Sequence, residues 1–354
     1  MQLIKNKPMQ IALPLTMAVI ILVALPFIMP SDYLRQLLVQ SLIYIVIVVG
    51  YNFVTGDIGQ LSMAQQGFFA LGAYFTAIFS TTAGLSWWTS VALAIIFTTI
   101  IGALVGLPTL RVRGQYLIMV TMAFSEIVRL LATNLSGLTG GASGITKIPS
   151  PKIGTFVFSG KISLYFLFLI ITCTALLIAH RIRITKYGRT FLAIRDGELA
   201  ADVMGINTTA IKVMAFSLAA AYAALGGGMF AASFNYISPD SFGLGQTVLI
   251  LAMLLIGGEG SIAGAITGAI VLTYLPELLR FARNYYILIY GSLIVLITLF
   301  LPGGIVGFAV KYLQKKGILS QEERGKHFDA MDLVKKNVEP ASQPSKSGNN
   351  WEKS

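Results

Sequence analysis

Charge is scarce in this chain. Lysine, arginine, aspartate and glutamate make up 12% of its 354 residues, 26 of them basic and 15 acidic, where a soluble domain carries roughly 25%. Cysteine is nearly absent: Cys173 stands alone inside an apolar run, which excludes an intrachain disulfide. The two histidines, His180 and His327, have no plausible metal-ligand partner beside them. His180 sits at a helix end among arginines, where a basic group favours the dipole. The glycine-rich pattern ending in Lys-Ser/Thr that cradles nucleotide phosphates does not occur. No catalytic constellation stands out, so neither an enzyme nor a cofactor or metal of its own is expected. Alternating apolar and polar residues are also missing from the hydrophobic stretches, which excludes a β-barrel.

Continuous apolar sequence is abundant instead. Hydrophobic residues make up 55% of the chain, and runs such as IALPLTMAVIILVALPFIM and ISLYFLFLIITCTALLIA approach the roughly 20 residues that cross a bilayer. The composition predicts an all-α, polytopic integral membrane protein with about 10 membrane segments. They lie near 9–30, 35–54, 58–82, 88–108, 115–134, 162–180, 210–234, 244–258, 262–279 and 285–304. The segment 244–258 is short and runs into GGEGS, so it is expected to be broken or re-entrant. Lys5 and Lys7 mimic the start of a signal peptide, but no small-residue cleavage site follows, and a retained first helix is expected.

The net charge of +11 does not point to nucleic acid here, because the basic residues cluster beside apolar runs as the positive-inside bias predicts. With the N-terminus inside, ten crossings place RVRG, HRIRITKYGR and the Lys311/Lys315/Lys316 start of the tail on the inside, with both termini cytoplasmic. The loop 135–161 then lies outside. It is long and rich in Gly, Ser and Pro, hence functional or disordered. Residues 1–310 form the transmembrane domain and 311–354 a polar cytoplasmic tail. Within the tail QEERGKHFDAMDLVKK can form a helix, and ASQPSKSGNN is expected to be disordered. Small residues one turn apart, Gly102 with Gly106 and Gly264 with Gly268, and the triplet Gly226–Gly228 suit close helix approach, within the chain or at a subunit interface. GQLSMAQQGFFALGA and GGEGSIAGAITGA resemble each other weakly, by duplication or by chance.

Two features carry chemistry. Glu126 and Arg129 lie past the midpoint of GQYLIMVTMAFSEIVRLLATN, three residues apart and so on one helix face. Charges at that depth usually face the bundle interior and pair. Two readings stand: a polar point on the route of a zwitterionic substrate, or a structural ion pair holding helices together. Asp57 and Glu259 lie in glycine-containing turns at the inner face and read as solvated turn residues. The second feature is KYGRTFLAIRDGELAADVMGIN, Lys186 to Asn207, a charged interruption between apolar runs. Asp196 suits an N-cap, Glu198 the first turn and Gly205 the position just past a helix end. A short helix is therefore predicted over DGELAADVMG, with RTFLAIR adding a turn before it. Ala193, Leu199, Ala200 and Val203 offer small or apolar contact positions. Such an insert cannot span a membrane, but it can dock.

From about Leu38 to Phe308 the chain resembles the LivM-type membrane subunits of bacterial ATP-binding-cassette importers for branched-chain amino acids. The resemblance is carried by GQLSMAQQGFFALGAY, LRVRGQYLIMVTMAFSEIVRLLATN, LTGGASGI, GRTFLAIRDGELAADVMGIN, YISPDSF, GGEGSIAGAITGA and LIYGSLIVLITLFLPGGIVG. It implies an importer permease fold in the inner membrane and a second homologous permease as heterodimer partner. It also implies two cytoplasmic ATPase subunits that bind the ATP, an extracytoplasmic binding protein and an amino-acid substrate. The insert then resembles the coupling segment that such permeases press into an ATPase, with Arg189, Ala193, Arg195, Asp196, Glu198, Ala200, Ala201 and Gly205 as its coupling residues. Glu198 stands one residue earlier than the family pattern, and Gln65 and Gln66 replace a common glycine and histidine. The rivals are a like importer for urea, short amides or another amino acid, and an ion-coupled secondary transporter.

Overall fold

The computed structural model describes residues 24–109, 114–279, 291–292 and 303–308. Most of the first and last apolar runs, the basic residues at 110–113 and the whole tail, with the helix and disorder expected there, lie outside these residues. The described chain is mostly helical. Its main helices are α1 (Asp32–Asn52), α2 (Gln65–Thr81), α3 (Trp87–Thr109), α4 (Gln115–Asn134), α5 (Lys161–Ile184), α6 (Lys186–Asp196), α7 (Glu198–Val203), α8 (Thr208–Phe234), α9 (Leu244–Gly257) and α10 (Ile262–Leu278). The eight expected runs that lie within the described residues each form a helix. Among the described residues, five helical stretches are long and apolar enough to cross a bilayer: Asp32–Asp57, Trp87–Leu107, Gln115–Asn134, Lys161–Ile184 and Thr208–Phe234.

Side-chain caps start several of these helices. Ser31 Oγ accepts from the Leu34 amide, Asn207 Oδ1 from Ala210 and Ser261 Oγ from Gly264, each meeting one amide that a helix start leaves open. α5 runs four residues past its expected end at 180, with Arg181 and Arg183 in the last turn, where cations complement the helix dipole. α1 does not stop cleanly. It passes into a π-helical turn, Phe53–Asp57, all of it buried. The run expected to begin at 58 becomes helical only at Gln65. The stretch before it is held by the Tyr51 hydroxyl, which donates to the Ser62 carbonyl, and by Thr121, whose Oγ1 accepts from the Met63 amide at 2.8 Å.

α8 is the hub of the bundle and packs on α1, α2 and α3. Its glycine triplet divides the work. Gly226 lies against Ile47 of α1, Gly227 against the backbone of Phe69 and Ala73 in α2, and Gly228 against Val91 of α3. Gly102 faces Ala220 and Phe216, and Gly106 faces Phe216 and Val213. Each glycine named above is thus spent on packing within the chain. α9 and α10 form a hairpin in the same way, Gly257 meeting the backbone of Gly264 and Gly268 that of Met253. α9 is an unbroken helix, yet its 14 residues make a rod of about 21 Å, short of the roughly 30 Å hydrocarbon core.

The loop 135–161 is folded. Its strand β1 (Ile145–Thr146) pairs antiparallel with β4 (Tyr236–Ile237), and β2 (Lys152–Ile153) with β3 (Phe156–Val157). Asn235 ends α8 in the left-handed region, φ +53°, and its Nδ2 donates to the Ile148 carbonyl at 2.7 Å.

A Cβ on Gly227 would stand 2.5 Å from both the Ala73 amide nitrogen and the Phe69 carbonyl oxygen. Gly227→Ala should therefore destabilise the bundle by about 1–3 kcal/mol through overpacking. Gly245→Ala, at a site with open space around it, should be neutral. Thermal retention of the detergent-extracted protein on size exclusion checks the contrast.

Candidate functional site

The insert is two helices rather than one. α6 runs eleven residues through Asp196, and α7 follows after the single residue Gly197. The expected N-cap role of Asp196 is corrected: it belongs to the last turn of α6, and Gly197 caps α7. The α6 ladder is satisfied up to the Gly197 amide, which bonds the Ala193 carbonyl at 3.2 Å, so the chain turns only at Gly197. Gly205 takes φ +81°, a conformation that glycine tolerates best. Its amide bonds the Asp202 carbonyl, and that of Ile206 bonds the Ala201 carbonyl. These two bonds are a Schellman closure.

The insert has two faces. Phe191, Ile194 and Ala201 are buried against the bundle. Glu198 reaches Lys212 of α8 at 2.6 Å, with the lysine side chain only 3% exposed. The other face is open: Arg189, Asp196, Ala200 and Gly205 are exposed, as are Leu199 (72%), Val203 (88%) and Met204 (81%). Ala193 is half-buried. Arg195 turns inward, its Nη1 donating to the Gly56 carbonyl at 2.5 Å.

Beneath the insert lies a polar cluster that sequence reasoning missed. Asp57 is not a solvated turn residue. Its carboxylate accepts two bonds from Arg183 of α5, at 2.7 and 2.8 Å, with side-chain exposures of 6% and 16%. Asn52 joins the π turn to the α9–α10 turn: its Oδ1 accepts from the Gly260 amide at 2.9 Å and its Nδ2 donates to the Ser261 carbonyl at 3.0 Å. Glu259 in that turn is also part-buried. Burial pushes its carboxyl above the usual range, and the Arg195 charge opposes the shift. The basic run HRIRITKYGR offered no sign of which arginine would reach a carboxylate 126 positions away.

A second candidate region is a largely apolar cleft of about 310 Å³. Met119, Met122, Ala123 and Leu244 supply its apolar wall, and Gln66, Ser125, Glu126 and Thr247 its polar one. Gln66 is fixed by two bonds, accepting from Thr247 Oγ1 at 3.1 Å and donating to the Phe242 carbonyl. Glu126 and Arg129 pair with each other in bidentate fashion. They do not face the bundle interior: their side chains are 39% and 27% exposed. The pair stays on one helix, so it ties no second helix to α4. Among the described residues no group of three or more His, Cys, Asp or Glu is placed to hold a metal.

A family described as branched-chain amino acid transport system, permease component, matches residues 33–301. The chain belongs to this permease family. Within it, the permease is 34% identical to the high-affinity branched-chain amino acid transport permease LivM of Salmonella typhimurium, over 84% of this chain and 75% of the relative. It is 33% identical to LivM of Escherichia coli over 86% and 77%. It is 28% identical to LivH of Salmonella typhimurium over 75% and 91%. No solved structure matches the permease.

Asp57→Asn should leave the buried Arg183 cation of this permease unpaired, at a cost of about 3–5 kcal/mol. Replacing both partners, Asp57→Leu with Arg183→Met, should recover much of that loss. Melting of the purified permease should rank the double variant above Asp57→Asn.

Proposed function

We propose that this permease carries leucine, isoleucine or valine across the inner membrane as one subunit of an ATP-driven importer. A second, homologous permease pairs with it, and its likeness to both LivM and LivH supports that reading. Two cytoplasmic ATPase subunits bind the ATP, so the permease needs no cofactor of its own. An extracytoplasmic binding protein delivers the substrate, and both termini lie in the cytoplasm. ATPase closure drives alternating access through the insert.

One observation carries the coupling role. A compact helical pair sits between two apolar spans, pinned to the bundle on one face and presenting Leu199, Val203 and Met204 on the other. An exposed apolar cluster on a polar segment marks a docking surface. The cleft supports an amino-acid substrate: an apolar wall beside the Glu126 carboxylate complements an aliphatic side chain attached to an ammonium group.

Uptake of labelled leucine, with recovery of the ATPase on the purified permease, tests both roles. Leu199→Asp with Val203→Asp puts charge into the docking face, and Gly205→Val strains the closure of α7. Both variants should insert normally, lose uptake and lose the ATPase. Glu126→Gln should keep the ATPase and lose uptake. Normal uptake in the insert variants would reduce the insert to a solvated connector. Normal leucine uptake in Glu126→Gln would remove the cleft from the route. A wild-type complex that takes up urea or a short amide in place of leucine would reassign the substrate.

A further inference from the structure

The insert, the polar cluster and the cleft are joined by one physical object. Arg195 leaves α6 and lies in a slot between two glycines. A Cβ on Gly59 would stand 3.1 Å from its Cγ, and one on Gly260 2.9 Å from its Nη1. Both glycines have positive φ, +78° and +75°, so the slot needs residues without side chains at these positions. At its end the guanidinium holds the Gly56 carbonyl in the π turn. Asn52, one helical turn earlier, holds the α9–α10 turn through both ends of its amide. The two backbones touch: a Cβ on Gly56 would stand 2.5 Å from the Gly260 nitrogen. α9 leads into that turn. It ends at Gly257 beside the turn and begins at Leu244, and Leu244 and Thr247 line the cleft. One rigid helix therefore runs from the cluster under the insert to the wall of the cleft.

We infer that Arg195 and Asn52 form a polar joint through which movement of the docked insert reaches α9 and, at its far end, the cleft. The inference rests on the docking role proposed above and adds its route. π turns are local departures from the helical ladder that recur at functional sites. This one supplies the carbonyl that Arg195 grips. The joint couples two sites because both of its residues bond backbone rather than solvent. Phe191, packed edge-on against Phe53 at 6.3 Å, keeps α6 seated while the polar bonds transmit. Arg195 and Asn52 are positioning residues: neither lines the cleft and neither belongs to the exposed face.

The test uses the complete complex, both permeases with the ATPases in proteoliposomes and the binding protein outside, with labelled leucine as the probe. The readout is leucine imported per ATP hydrolysed. Arg195→Gln and Asn52→Ala should lower that ratio about fivefold or more, with the ATPase still co-purifying. A merely structural role would lower import and hydrolysis together, and an unchanged ratio overturns the joint. Loss of the ATPase from Arg195→Gln overturns it as well, since the joint lies on the bundle side of the insert. Asn52 is fully buried and its truncation can block assembly; Arg195 is only half-buried, and its variant then decides alone. A wild-type complex that imports no leucine on ATP counts against the proposed function and not against the joint.

Discussion

A helix that ends inside protein must hand its last carbonyls to other groups, and α1 ends deep inside protein. Its window is almost wholly buried, and its inner end is the buried π turn. The polar groups there are met from outside the helix: the Gly56 carbonyl by Arg195, the Asp57 carboxylate by Arg183 and the Asn52 amide by the α9–α10 turn. Satisfying one helix end thus fixes the relative positions of α5, α6, α9 and α10. The insert can present an open face only because its other face is needed for this closure.

The middle of the bundle is organised by a different force. Helices in an apolar solvent gain little from apolar burial against one another, so close packing of small residues decides their approach. Gly226, Gly227 and Gly228 let α8 touch α1, α2 and α3 within a single turn. Polar bonds gather at the inner end and around Gln66 and Thr247, where backbone groups are open. The result is a closely packed centre with polar joints where the chain turns.

How far the sequence could be read follows from this division. The apolar runs carry their own period and length, so the helices at 88–108, 115–134 and 210–234 were legible within a few residues. Gly205 was legible because a left-handed helix end leaves a glycine after a short polar segment. The Asp57–Arg183 pair was not, because a turn aspartate in water and one under a distant arginine have the same neighbours in sequence. The π turn had no local signal either, since Phe53, Val54 and Thr55 are residues that an ordinary membrane helix also carries. The orientation of Glu126 and Arg129 was missed for a related reason. Their spacing fixes that they share a face of α4, but which face is set by α2, a helix distant in sequence that packs on α4. Arg195 was counted among the coupling residues through the resemblance, and its inward turn depends on the glycine slot at Gly59 and Gly260.

The central claim is that one face of the insert is fixed to the bundle and the other is free to receive an ATPase. Photocrosslinking in intact membranes measures this most directly. A benzophenone is attached through a cysteine at 203 or at 194, each in a Cys173→Ser background. The account predicts that the probe at Val203, 88% exposed, crosslinks to the ATPase subunit, and that the probe at Ile194, 5% exposed, crosslinks only within the permease. ATPase crosslinks from 194 with none from 203 would contradict it.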